Sequence, residues 1–152
     1  MSEAHYVIFT IDDQSFAVTI SVVERVIRAV QPTHPLDAPD LIIGLINIGG
    51  DMIPLVDIRR QFGLAERPIR QSDRFIITEA AGYRTAFAAD TVVGVHQLQP
   101  EPTIDPELVY PEMRRYMSGI ATLENRTVLI YGIDHLISRT TMKQARQALE
   151  TA

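Results

Sequence analysis

The sequence predicts an all-β protein in which two related units follow one another along the chain. Short runs of β-branched and aromatic residues alternate with turn residues over most of its length, as expected for strands and hairpins. A glycine-led pattern at residues 44–58 returns at residues 119–133, and its first and last positions both recur after 75 residues (119 − 44 and 133 − 58). Such internal repetition indicates a duplicated structural unit.

Composition and charge narrow the classes of function. A chain of 152 residues is long enough to bury a hydrophobic core. Its net charge of −5 argues against nucleic-acid binding, which needs a basic protein surface. No apolar run approaches the ~20 residues that a membrane helix needs, so direct membrane insertion is not expected. The strand pattern begins within a few residues of the N-terminus, which leaves no room for a signal peptide. A cytoplasmic location is the simplest expectation.

The sequence offers no motif for catalysis or metal binding. It contains no cysteine, which excludes disulfides and thiolate sites. The four histidines, at positions 5, 34, 96 and 135, lack the spacing of a zinc site. Gly49 and Gly50 lie between strands, whereas a phosphate-binding glycine loop precedes a helix. We therefore expect no catalytic residue, no metal and no cofactor.

In the first unit, strands are predicted at 6–11, 15–19 and 23–30, followed by a proline-rich loop at 31–40. Ser21 and Glu24 have the spacing of a capping box, which favours a short helical turn before the third strand. A hairpin follows at 44–48 and 51–56. Its turn is Gly49-Gly50, and two glycines suit the positive φ angles of a type I′ turn. Asp57 is expected to cap a short helix that ends at Phe62, with Gly63 as its stop.

The second unit repeats this order, with strands predicted at 75–78, 83–89 and 91–95 and a hairpin at 119–123 and 127–131. A proline-rich loop at 99–116 precedes the hairpin. Met142, Ala145 and Leu149 form one stripe of a predicted helix at 141–149. We expect one domain over 1–152. Its approximate subdomains are 1–68, with a possible C-terminal contribution, and 69–138, followed by a C-terminal helix at 139–150.

These residues resemble the CheW-like domain of bacterial chemosensory systems. The resemblance runs through 6–11, 44–48, 53–59, 116–120 and 128–130, and so covers nearly the whole chain. The residues that match the central motif of that family are Gly44, Asn47, Gly50, Pro54, Asp57 and Arg59. The resemblance implies two five-stranded SH3-like β-barrels packed about a shared core, which agrees with the repeat.

The resemblance further implies a non-enzymatic cytoplasmic adaptor that couples the cytoplasmic tip of a chemoreceptor to the regulatory domain of a histidine kinase. By position in the motif, the residues expected to face the receptor are Val23, Gly44, Val92 and Gly94. The hairpin tip Asn47–Gly50 lies at the contact region of the family. Two departures from the family pattern occur. The family usually has an arginine at the position of Gly49 in this tip, and a glutamate at the position of Arg25 in the preceding helix–strand corner. They imply altered charge complementarity with a partner.

Plainer interpretations exist for each of these residues. Gly49-Gly50 is a turn whether or not it binds a partner, and Val23, Val92 and Gly44 are apolar residues of the kind that fill a core. The alternative function is a stand-alone CheW-like module that modulates a kinase, or a role in a pilus or gene-regulatory pathway. A small-molecule-binding or enzymatic barrel would need converging ionisable groups in a pocket.

Overall fold

The computed structural model of the chain describes residues 4–34, 39–80, 82–100 and 117–132. Within these ranges the structure is nearly all β, as predicted. Its strands are β1 (Ala4–Ile11), β2 (Gln14–Thr19), β3 (Val23–Arg28), β4 (Ile42–Ile48), β5 (Asp51–Val56), β6 (Arg74–Ala80), β7 (Tyr83–Ala89), β8 (Thr91–Leu98), β9 (Met117–Leu123) and β10 (Arg126–Tyr131). The described helices are a 3₁₀ turn at Ile20–Val22 and α1 (Ile58–Gln61), and neither is long and apolar enough to span a membrane.

Local sequence signals fixed several turns as expected. Gly49 and Gly50 close the β4–β5 hairpin with φ of 61° and 95°, both in the region that a type I′ turn requires. Asp57 caps α1, since its Oδ1 accepts a hydrogen bond from the backbone N–H of Arg60 at 3.1 Å. The short helical turn predicted before the third strand is present as the 3₁₀ turn, but its capping box at Ser21 and Glu24 was wrong, because the turn has no side-chain cap and Glu24 belongs to β3.

The ten strands form two five-stranded sheets, with the orders β8-β1-β2-β10-β9 and β3-β6-β7-β5-β4. We call them barrel 1 and barrel 2. The predicted division at 68/69 does not separate them, because each barrel takes strands from both parts of the chain. The β1–β2 hairpin joins the last three strands in barrel 1, while the β6–β7 hairpin joins β3, β4 and β5 in barrel 2. The two repeats therefore exchange their first hairpins.

The exchange follows an internal pseudo-twofold symmetry that extends to single residues. Val92 pairs with Phe9 and Gly94 with Ile8, which leaves Val93 as a bulge. In barrel 2, Val23 pairs with Thr78 and Arg25 with Ile77, which leaves Glu24 as a bulge. The corresponding positions differ by 69 on both strands (92 − 23 and 78 − 9). The β4–β5 and β9–β10 hairpins correspond with the interval of 75 that the sequence showed, including a bulge at Ile43 and at Ser118.

Three hydrophobic clusters hold the molecule together. Each barrel encloses a small one, to which all five of its strands contribute. The third, the shared core, lies between the barrels and contains an aromatic group of Phe9, Phe16, Phe62, Phe87 and Tyr131. Central strands such as β1 are consequently buried on both faces, with Tyr6 and Ile8 inside barrel 1 and Val7 and Phe9 in the shared core. This explains why they read as continuous apolar runs rather than as alternating patterns.

Two predictions concern residues beyond the described ranges. The C-terminal helix at 139–150 lies outside them. The proline-rich loop at 99–116 is described only at residues 99 and 100, and no described residue bears on its remainder.

Candidate partner-binding surface

Val23 and Val92, both predicted to face a receptor, occupy equivalent positions at the starts of edge strands β3 and β8. Each is partly buried and packs against the shared core. Each valine thus borders the shared core and also reaches the surface. They therefore lie at the rim of the shared core.

The bulges next to these valines present different chemistry on the two strands. In β3 the bulge residue is Glu24 and the next residue, Arg25, has 58% of its side chain exposed. In β8 the corresponding residues are Val93, which is 57% exposed, and Gly94, whose φ is 146°. A bulge twists an edge strand and changes the direction of its side chains. One rim is therefore charged and the other apolar.

Two further exposed valines lie along the same strands and were not predicted. Val26 pairs with Ile76 and is 38% exposed, while Val95 pairs with Val7 and is 50% exposed. Ile76 and Val7 both belong to the shared core. Sequence periodicity had assigned these valines to strands without indicating exposure, because a valine on an edge strand reads the same as one in a core.

Gly44 was predicted to contact a partner, but the structure buries it. The segment Pro32–His34 covers it: a Cβ atom at position 44 would lie 2.8 Å from Pro32 Cβ and 2.8 Å from the Thr33 carbonyl oxygen. Backbone hydrogen bonds between Thr33 and Leu45, at 2.7 and 2.8 Å, hold that segment in place. The need for glycine here is accounted for by this close approach of the backbone.

The hairpin tip, in contrast, is open. Asn47 is exposed, and its Oδ1 accepts a hydrogen bond from the backbone N–H of Gly50 at 2.9 Å, which stabilises the turn. A Cβ at Gly49 or at Gly50 would have no described atom within 4 Å. The tip therefore exposes backbone and one amide side chain, and no charged group.

An ion-pair group links this hairpin to β3, and sequence reasoning missed it. Arg84 of β7 donates to Glu24 through Nε at 3.0 Å and Nη2 at 2.5 Å, and to Asp51 through Nη1 at 2.8 Å. The hydrogen bonds to Glu24 act most strongly to raise the pKa of Arg84 above its ordinary value. Glu24 stands between predicted site residues of β3, and Asp51 follows Gly50. The structure thus brings the two predicted contact elements together through a side chain from a third strand.

A second ion-pair group lies where the chain crosses from barrel 2 to barrel 1. Asp90 accepts hydrogen bonds from the backbone N–H of Asp12 at 2.7 Å, from Arg59 at 3.0 Å and from Arg67. Arg67 also binds the buried Asp73. Burial acts to raise the pKa of Asp90, but these hydrogen bonds outweigh it and leave the pKa below its ordinary value. The group fixes the residue that precedes β8.

A cavity of about 690 Å³ opens beside this group. Its wall combines apolar residues such as Ile43 and Val56 with charged residues that already form ion pairs, among them Arg59 and Arg67. Within the described ranges, every buried side-chain nitrogen or oxygen has a hydrogen-bond partner, and no three potential metal ligands come together. The charged groups of the cavity thus serve to connect segments of the chain.

Comparison with known proteins settles the family. The profile of the CheW-like domain matches residues 5–141. The chain belongs to the CheW-like domain family. The chemotaxis protein CheW of Rhizobium meliloti is 28% identical over 134 residues, which cover 83% of this chain and 82% of the relative. That of Thermotoga maritima is 24% identical over 144 residues, or 95% and 94% of the two chains.

The fold agrees with a solved structure. The scaffolding protein TtCheW from Thermoanaerobacter tengcongensis superposes with a TM-score of 0.74, covers 91% of each chain and is 23% identical. This similarity confirms the two-barrel fold of the CheW-like domain. The family assignment, together with several chemotaxis relatives, makes the chain a chemotaxis adaptor that acts by binding and not by catalysis. Its role thus lies in receptor–kinase signalling complexes.

Proposed function

We propose that this adaptor binds the cytoplasmic tip of a chemoreceptor and the regulatory domain of a histidine kinase, and does so in the cytoplasm. The observation that carries the proposal is the pair of equivalent edge strands, β3 and β8, which both present partly exposed valines at the rim of the shared core. Exposed apolar residues grouped on strand edges are typical of interaction surfaces rather than of an isolated soluble domain.

The receptor surface in this proposal is centred on β8. Val93 and Val95 are each exposed by half or more, and Val92 anchors the start of the strand on the core. An amphipathic helix buries such residues through its own apolar stripe. Gly94 lies between the two exposed valines and carries no side chain, so a helix can approach the backbone there. Val23 and Val26 provide the corresponding contacts on β3.

The kinase surface in this proposal is the end of barrel 2, formed by Arg25, the tip residues Asn47, Gly49 and Gly50, and the Arg84 ion-pair group. Charged groups at such a surface govern partner choice and association rate more than affinity. Compared with the usual family pattern, a positive charge is missing at position 49 and one is gained at position 25, so the arrangement of charges at this surface differs. We expect this adaptor to prefer a kinase and receptor of its own system.

Isothermal titration calorimetry with a receptor cytoplasmic fragment and, separately, a kinase regulatory domain tests this proposal. An adaptor binds both, whereas a modulator of the kinase binds only one. We expect Val95→Glu to weaken receptor binding by about 1–3 kcal/mol, because a charge then faces an apolar partner. Its unfolding temperature should stay close to that of the wild type, since Val95 is half exposed.

Val30→Glu is the matched control, because Val30 is similarly exposed at 45% but lies beyond the end of β3. It should bind the receptor fragment as the wild type does. Equal weakening by both variants would show that general charge, and not the β8 surface, governs binding. A wild-type protein that fails to bind either one of the two partners would refute the proposed function.

A further inference from the structure

Arg84 is held at the surface in a way that leaves part of its guanidinium group available. Its side chain is 27% exposed. Of the five N–H donors of an arginine, described residues engage three, two by Glu24 and one by Asp51. An arginine fixed in this way has already lost much of its side-chain freedom, which lowers the entropic cost of binding a partner.

The two carboxylates that hold Arg84 differ in how firmly they are bound. Glu24 makes two hydrogen bonds and has 26% of its side chain exposed. Asp51 makes one hydrogen bond and has 75% of its side chain exposed. Exposed ion pairs such as Arg84–Asp51 contribute little free energy to stability and are readily exchanged. Asp51 is therefore the partner that an incoming group can replace.

The pseudo-twofold symmetry shows that the fold does not need this ion-pair group. The positions of barrel 1 that correspond to Arg84, Glu24 and Asp51 are Ser15 (84 − 69), Val93 (24 + 69) and Arg126 (51 + 75). The same strand order and the same bulge form there with no arginine–glutamate pair at these positions. A feature that only one of two equivalent barrels has is free to serve binding.

We propose that Arg84 is the specificity-determining residue at the end of barrel 2, and that it binds a carboxylate of the kinase regulatory domain which displaces Asp51 from Nη1. The inference rests on the proposed function, because it assigns the recognition at that surface to one side chain. Arg84 thereby supplies, beside the hairpin, the cation that the tip residue Gly49 lacks. Glu24 stays in place and orients the guanidinium group, while Asp51 competes with the partner.

The competition makes the two obvious variants act in opposite directions. Arg84→Gln removes the charge and should weaken kinase binding about 10- to 100-fold, as expected for an arginine at the centre of an interface. Asp51→Asn removes the competing charge and should strengthen binding about 2- to 10-fold. A purely structural ion pair predicts that both variants weaken binding or leave it unchanged.

The test is titration calorimetry of the full chain with the purified kinase regulatory domain, with Arg126→Gln as the control at the corresponding hairpin position of barrel 1. Opposite shifts for the two variants, with the control unchanged, support the proposal. Wild-type affinity in Arg84→Gln, or a loss of affinity in Asp51→Asn, overturns it. Failure of the wild type to bind the kinase domain refutes the proposed function itself, which is a separate outcome. Thermal unfolding of each variant confirms that it is folded.

Discussion

Replacement of Gly44 by alanine tests whether this glycine serves the fold or a partner. The added Cβ would lie 2.8 Å from Pro32 Cβ and from the Thr33 carbonyl oxygen, and 3.3 Å from His34 Nδ1. Two of these atoms belong to side chains, but the third is backbone and cannot turn away. The segment Pro32–His34 must therefore move as a whole, away from β4.

The cost follows from the contacts that hold that segment. Thr33 and Leu45 exchange two backbone hydrogen bonds, and Ile43 oxygen lies 2.6 Å from His34 Nδ1. Each such bond contributes about 1 kcal/mol, and overpacking at a tight contact costs about 1–3 kcal/mol. Partial loss of the bonds with partial relaxation gives about 2–4 kcal/mol. For a chain of this length that corresponds to a fall in unfolding temperature of about 5–15 °C.

The repeat provides a matched control in Gly119, which corresponds to Gly44. A Cβ there would meet Ile130 Cδ1 at 3.6 Å and Pro100 Cβ at 3.7 Å, which are ordinary contacts. Gly119→Ala should therefore leave stability unchanged or raise it by up to about 1 kcal/mol, since alanine restricts the unfolded chain. Calorimetric or circular-dichroism melting of both variants measures the difference. Equal unfolding temperatures would refute the reasoning and would return Gly44 to the list of partner contacts.

Two further changes test the ion pairs and the hairpin. Asp90→Asn should lower the free energy of unfolding by about 1–3 kcal/mol at neutral pH in urea titrations, because Arg59 and Arg67 each lose one of their two carboxylate partners. The pKa of Asp90 is depressed in the folded state, so its contribution is present above the unfolded-state pKa of about 4 and is lost as the pH falls through the folded value. The gap between wild type and variant should close in acid, and a constant gap would contradict this. Gly49→Arg should lower the free energy of unfolding by on the order of 1 kcal/mol in thermal melts, because position 49 has a φ of 61°, which is strained for a residue with a Cβ. A steric clash should not add to this cost, since the Cβ would meet no described atom within 4 Å. An unchanged unfolding temperature would contradict the turn strain.

Local features of the fold were accessible from the sequence, whereas the strand exchange was not. The strands at 51–56 and 83–89 were predicted to the residue, and the Gly49-Gly50 turn has the expected φ angles. These depend on nearest neighbours and turn chemistry. The pairing of β1 with β8 joins residues more than 80 positions apart. A run of apolar residues shows that a strand is buried but not which strand lies beside it, so sequential subdomains were the natural and wrong expectation.

The Arg84 ion-pair group shows what sequence reasoning misses at a binding surface. Its members lie 60 and 33 positions apart, on separate strands. One signal was available: Arg84 shares a strand face with Ala86, which is inside barrel 2, and a charged residue on an interior face must lie at the end of a barrel and find a partner. The partner itself follows only from the β3 bulge, which places Glu24 and not Arg25 next to the arginine.

The duplicated fold separates structural positions from functional ones within a single chain. The bulges at Glu24 and Val93 and the rim valines at 23 and 92 recur in both repeats, because the same barrel must form twice. Positions that differ between the repeats are not fixed by that requirement. Glu24 against Val93, Arg25 against Gly94 and Arg84 against Ser15 give one barrel a charged end and the other an apolar edge. Glu24, Arg25, Arg84 and Val93 are partly or largely exposed, whereas Ser15 is buried. In the proposed function, each barrel therefore recognises a chemically different partner while the shared core joins the two barrels, as an adaptor between two proteins requires.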